Sequence, residues 1–192
     1  MKQLHRYILG YAIGIIIFLG IIPYSLYELS KLDYLFTNKL LFNNKLLRYI
    51  ISSLFCIAGA IFMLWSNIYL FKIGKGGPAE AYGISLSPKT KKLVKTGPYR
   101  YSRNPMVFGA LTFYVSIAIL LNSITGLICL CILLFIAIAY LKFSEEKRLL
   151  RDFGNEYREY KKNVSMLLPR KNTKRKDANN NHKKIDTQLP PL

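Results

Sequence analysis

Histidine, cysteine and acidic side chains are scarce in this chain. The two histidines, His5 and His182, lie in peripheral segments, which leaves a zinc site without its usual ligands. Cys56, Cys129 and Cys131 all fall inside apolar runs, where they read as reduced packing residues and form neither a disulfide frame nor a metal site. Strand-helix alternation is missing too, so the glycines of Gly74-Lys75-Gly76-Gly77-Pro78 lack the βα unit that a phosphate cradle needs. That excludes a soluble nucleotide-binding domain. Ten Asp and Glu stand against 28 Lys and Arg, a formal charge of +18.

What the chain has in quantity is blocked apolar sequence, 52% of its 192 residues. Tyr7 to Tyr27 carries no charge, and at about 1.5 Å per residue it spans the roughly 30 Å hydrocarbon layer. Lys2 and Arg6 precede it as in a signal peptide, but no small-residue cleavage site follows, and it reads as a helix. Leu46 to Phe71 is a second span, with Arg48 near one end and Trp65 and Tyr69 near the other, in snorkelling and aromatic-belt positions. Met106 to Leu121 and Ile124 to Leu141, separated by Asn122-Ser123, form a helical hairpin. The fold class is all-α, a polytopic membrane protein with four transmembrane segments, and Lys142 to Leu168 adds a cytoplasmic amphipathic helix. Its apolar face holds Leu150, Phe153, Tyr157, Tyr160, Val164 and Leu167, with Glu146 on the same face and a bend or a close backbone approach expected at Gly154.

Three units follow: residues 1–71 with two helices, 72–169 as the core, and 170–192 as a basic, Asn-rich tail with too little apolar content to pack. Lys and Arg number 2 before the first span, 8 from Lys72 to Arg103 and 14 from Lys142 onward, against 4 from Lys31 to Arg48. The positive-inside rule makes the three heavier groups cytoplasmic, both termini included. Membrane lipids with anionic headgroups are therefore the expected partners of the charge, ahead of nucleic acid. The sequence defines no oligomeric state.

The chemistry-bearing residues concentrate on that cytoplasmic side. Asn104-Pro105 marks a helix start, Asn as a cap and Pro at the first helical position, and its free N–H groups with Arg100 and Arg103 form an anion-binding mouth. Tyr99 and Tyr101 flank Arg100 behind the Gly97-Pro98 turn, a combination suited to stacking on a base and binding carboxylate or phosphate. Lys89 to Lys95 is a cationic strip with Leu93 and Val94 as an apolar clamp inside it. Glu145-Glu146 returns to the same surface, with Lys142 and Arg148 at helical spacing as its structural partners.

These blocks resemble the integral-membrane methyltransferases typified by isoprenylcysteine carboxyl methyltransferase, with the phospholipid methyltransferases as relatives. The resemblance runs through Leu93-Val94-Lys95-Thr96-Gly97-Pro98-Tyr99-Arg100-Tyr101, Arg103-Asn104-Pro105-Met106 with Gly109, Glu145-Glu146, and Phe153-Gly154-Asn155-Glu156-Tyr157 with Tyr160. It covers about Gly74 to Pro169, and the first two spans match only in being hydrophobic. Asn104 stands where many members have histidine, Val107 where tyrosine is usual, and Leu141 where the prenylcysteine enzymes carry an arginine.

The resemblance implies S-adenosylmethionine as cofactor, contacted by Lys91, Lys92, Leu93, Val94, Tyr99, Asn104, Pro105, Met106, Val107 and Glu145. It implies a lipid-like or prenylated acceptor, expected beside Tyr101, Arg103 and Lys142; the chemistry of methyl transfer would have Arg103 orient a carboxylate acceptor, and makes Glu146 the candidate base for an ammonium. A prenylated cysteine carboxylate is the first acceptor and an amine phospholipid headgroup the second. A nicotinamide-dependent membrane reductase of similar architecture and a non-enzymatic membrane adaptor are the rival classes.

Overall fold

The computed structural model describes residues 8, 10, 12–33, 41–75, 80–81, 84–85 and 90–170. The first residues of the expected N-terminal span, the glycine-rich stretch at 76–78, Lys89 of the cationic strip and the tail from 171 lie outside them. Among the described residues three helices are long and apolar enough to cross a membrane: α1 (Ala12–Ser30), the continuous run Lys45–Gly74, and Ile124–Asn163. A fourth apolar helix, Pro105–Leu120, has 16 residues. The only described strands are the two-residue antiparallel pair β1 (Glu80–Ala81) and β2 (Ile84–Ser85).

Helix α2 (Lys45–Tyr69) starts where the Asn44 side chain accepts from Leu47 N at 3.2 Å. A π turn, Leu70–Gly74, continues it, and Lys75 ends it in the left-handed conformation with φ 52°. Helix α3 (Pro105–Leu120) makes its largest interface with α2. Two glycines permit that approach: a Cβ on Gly59 would stand 2.6 Å from Phe113 N, and one on Gly109 would stand 2.8 Å from Met63 N. Both are backbone atoms, which cannot swing aside. Phe62 adds an edge-on contact with Phe108 at 5.0 Å between ring centroids.

Asn122, at φ 58°, turns the chain, and Ser123 caps helix α4 (Ile124–Tyr140) by accepting from Gly126 N at 2.8 Å. The Asn122-Ser123 break expected from sequence is therefore a true hairpin turn. Its side chains also fasten this end of the fold: Asn122 exchanges hydrogen bonds with the backbone of Phe42, and Asp33 accepts from the Thr125 N–H at 2.9 Å. Among the helices Leu26, Tyr114, Ala118 and Leu130 form the core. The Tyr114 hydroxyl donates to the carbonyl of Phe18, in the π turn Ile16–Ile21 of α1, at 3.2 Å.

At the opposite end α4 passes through the π turn Leu141–Glu145 straight into helix α5 (Glu146–Asn163). Gly154 breaks α5 at φ 51° and ψ −125°, the bend expected there, in a conformation L side chains rarely adopt. The helix stops at Asn163, short of the Leu168 expected from periodicity. Val164 is extended, and residues 164–170 run as a strap along the turn before α3: Ser165 pairs with Ser102 in a parallel bridge, and Arg170 N donates to Tyr101 O at 2.9 Å. Backbone groups of that turn compete for this segment, which periodicity does not register.

Candidate active site

Gly97, at φ 60°, opens a 3₁₀ turn, Gly97–Arg100, and lies so close to the Tyr69 ring that a Cβ would stand 2.4 Å from one of its carbons. Trp65 continues the aromatic wall, 6.5 Å from the Tyr101 ring. The turn is thereby fixed to the end of α2. Tyr160 fixes it from the other side, donating its hydroxyl to Tyr99 O at 2.5 Å. Lys91 N donates to Gly74 O at 2.8 Å, and Val94 is buried beside Gly74, while Lys91 and Lys92 are exposed and Leu93 is half-buried.

Helix α3 begins at Pro105, as expected, but Asn104 does not cap it with its side chain. Its amide donates instead to Met166 O at 2.9 Å, and the backbone N–H groups of Arg103 and Asn104 are taken by Ser165 O and Met166 O. The strap therefore fills part of the expected anion-binding mouth. Among the described residues the N–H groups of Met106 and Val107 remain unbonded at the helix start, since the first backbone bond back to the cap comes from Phe108.

Below this mouth Arg103 and Glu146 form a buried ion pair, with side chains 8% and 6% exposed. Arg103 Nη1 donates to Glu146 Oε1 and to the Tyr157 hydroxyl, 3.2 Å away. Lys161 Nζ takes the other carboxylate oxygen. Both oxygens of Glu146 are thus engaged, and Arg103 Nε is buried without a partner among the described residues. The partners expected for the Glu pair from helical spacing divide: Arg148 does pair with Glu145, whereas Glu146 takes Arg103 and Lys161. Lys142 is exposed and lies 5.8 Å from the Phe143 ring, apart from this network.

Burial, and after it the Glu145 charge, push the Tyr99 hydroxyl well above the ordinary tyrosine value. It stays protonated at neutral pH as a hydrogen-bond donor near Glu145. The structure thus gathers Tyr99, Arg103, Asn104 to Val107, Glu145 and Glu146 at one end of the helices. Sequence reasoning missed Lys161, which reads there as one more solvated lysine, and the strap residues Ser165 and Met166. Gly154 was the signal for both, because the bend turns this segment back toward the site.

Residues 47–156 match the family model described as phospholipid methyltransferase. That is more than half of the chain, and the protein belongs to this family of membrane methyltransferases. The match reaches back into α2, further than the motifs read from sequence, and stops before Tyr157. It weighs against the reductase and adaptor readings. No curated protein matches the chain.

Proposed function

We propose that the protein transfers a methyl group from S-adenosylmethionine to a lipid-like acceptor at the cytoplasmic face of the membrane. One observation carries this reading: Glu145, Tyr99, the uncapped start of α3 and the buried Arg103–Glu146 pair meet at one end of a chain from a methyltransferase family. These groups suit the cofactor. Glu145 accepts its hydroxyl or amine donors, the Tyr99 ring offers a stacking face, and the Met106 and Val107 N–H groups suit its carboxylate. Bound there, S-adenosylmethionine supplies a methyl group on a cationic sulfur that leaves as a neutral thioether. The residues then have to supply position, with an approach of roughly 3 to 3.5 Å.

In the same proposal α3 and α4 are a hairpin that completes four spans, and α5 is an amphipathic helix at the interface. The excess of Lys and Arg puts this end in the cytoplasm. At 16 residues α3 is about 24 Å long, shorter than the hydrocarbon layer, which leaves room for a lipid tail to enter sideways.

Of the two acceptors, the local chemistry favours the amine headgroup over the prenylcysteine carboxylate. Leu141 is 4% exposed and brings no charge where the prenylcysteine enzymes carry arginine, and Arg103 is already tied to Glu146. An ammonium must lose its proton before its nitrogen can take the methyl group. Glu146, with both oxygens engaged, acts in this reading as an anchor and not as the base. Arg103 and Lys161 against one carboxylate leave one surplus positive charge, which favours the neutral amine nearby. Incubation with methyl-labelled S-adenosylmethionine and vesicles of ethanolamine phospholipid, beside a prenylcysteine carboxylate, tests this. Label in the phospholipid is the expected result; label only in the prenylcysteine overturns the acceptor, and label in neither overturns the function.

A further inference from the structure

The second cation on Glu146 comes from outside the segment that the family model matches, which ends at residue 156. Fifteen residues of unbroken helix would hold positions 146 and 161 about 22 Å apart. They meet because the chain reverses at Gly154, and other contacts hold the returning segment: Glu156 with Lys95 at 2.8 Å, Tyr160 with Tyr99 O, and Ser165 O with Arg103 N at 2.8 Å. The neighbouring Lys162 shows the ordinary alternative, an exposed pair with Glu159 one turn away. Lys161 instead extends a half-exposed side chain to a buried carboxylate.

A carboxylate held by one guanidinium on one oxygen can still rotate about its last side-chain bond. A cation on the other oxygen removes that freedom, and here it also fixes the guanidinium on Oε1. We infer that Lys161 is a positioning residue for methyl transfer: by holding Glu146 Oε2 it sets the orientation in which Glu146 presents Arg103 to the acceptor. This rests on the proposed transfer to an amine phospholipid, whose anionic phosphate is the group that Arg103, with Nε unpartnered among the described residues, would orient.

The test compares Lys161→Met, Lys161→Arg and the control Lys162→Met in the full chain, reconstituted in ethanolamine-phospholipid vesicles with labelled S-adenosylmethionine. Lys161→Met should lower kcat about tenfold, the scale of one lost charge-assisted hydrogen bond, with cofactor affinity within about twofold. Lys161→Arg should recover most of the rate, and Lys162→Met should match the unaltered protein. In a Glu146→Gln background Lys161→Met should cost nothing further, because its effect passes through that carboxylate. An unchanged kcat, a loss that persists in full beside Glu146→Gln, or an Arg variant as slow as Met overturns the inference. If Lys161→Met does not fold, Lys161→Arg and Lys161→Gln decide between the same outcomes. Unaltered protein that methylates no acceptor overturns the functional reading, and the inference with it; active protein indifferent to Lys161 overturns the inference alone.

Discussion

Glu145 and Glu146 are adjacent in sequence, yet their surroundings give them different work. Glu145 is partly exposed, 22% by side chain, and its partner Arg148 lies one turn along the helix. Such a pair contributes about 0.3 to 0.5 kcal/mol, so Glu145→Gln should leave the melting temperature without cofactor nearly unchanged. If Glu145 also accepts hydrogen bonds from the cofactor, the same change removes about 1.5 to 3 kcal/mol of binding, roughly tenfold or more in affinity. Titration of purified protein with S-adenosylmethionine separates the two, and unchanged affinity would remove Glu145 from the cofactor site. Glu146 is the opposite case. Glu146→Ala leaves the Arg103 guanidinium buried without a counter-charge, which costs about 3 to 5 kcal/mol. Thermal unfolding in detergent should show a large drop without cofactor present, and a drop as small as that of Glu145→Gln would mean the pair is solvated.

At the scale of elements, the structure turns on the single bend in α5. Gly154 has open space where a Cβ would sit, so Gly154→Ala meets no clash; its cost is backbone strain, about 1 to 3 kcal/mol at such angles. Straightening relieves the strain, and it carries Lys161 away from Glu146. Spin labels on Lys147 and Lys162, both exposed, should therefore move apart toward the roughly 22 Å of a straight helix. Methyl transfer should fall with them, and an unchanged distance with full activity would show that the bend survives without glycine. Local signals in the sequence announced several elements: Pro105 starting α3, Asn122-Ser123 turning the hairpin, and Gly154 breaking α5. Partners far apart in the chain were not announced. Asn104 looks like a cap but donates to Met166 O, and Val164 and Leu167 continue a helical period that the strap overrides. In each case a backbone group some 60 residues away decided the conformation.

For the whole molecule the question is which side of the membrane the site faces, and charge argues it where geometry is silent. Of the 28 lysines and arginines, 24 belong to the N-terminal segment, the loop from Lys72 to Arg103 and the region after the hairpin. The other four fall between Lys31 and Arg48 in the sequence, and of these Lys31, Lys45 and Arg48 belong to the end of the fold with the Asn44 cap and the Asp33–Thr125 contact. Translocating the heavy groups is disfavoured, so the end of the fold holding Arg103 and Glu146 should face the cytoplasm. S-adenosylmethionine and the cytoplasmic leaflet are then both in reach of the site. Cysteine labelling in intact cells decides it, after replacement of Cys56, Cys129 and Cys131, which lie within the apolar helices. A cysteine at the exposed position Lys92 should resist an impermeant reagent until the cells are opened, whereas one at the exposed Lys45 should react from outside. The reverse pattern would place the site outside the cell. It would overturn the cytoplasmic reading while leaving the family and the ion-pair geometry untouched.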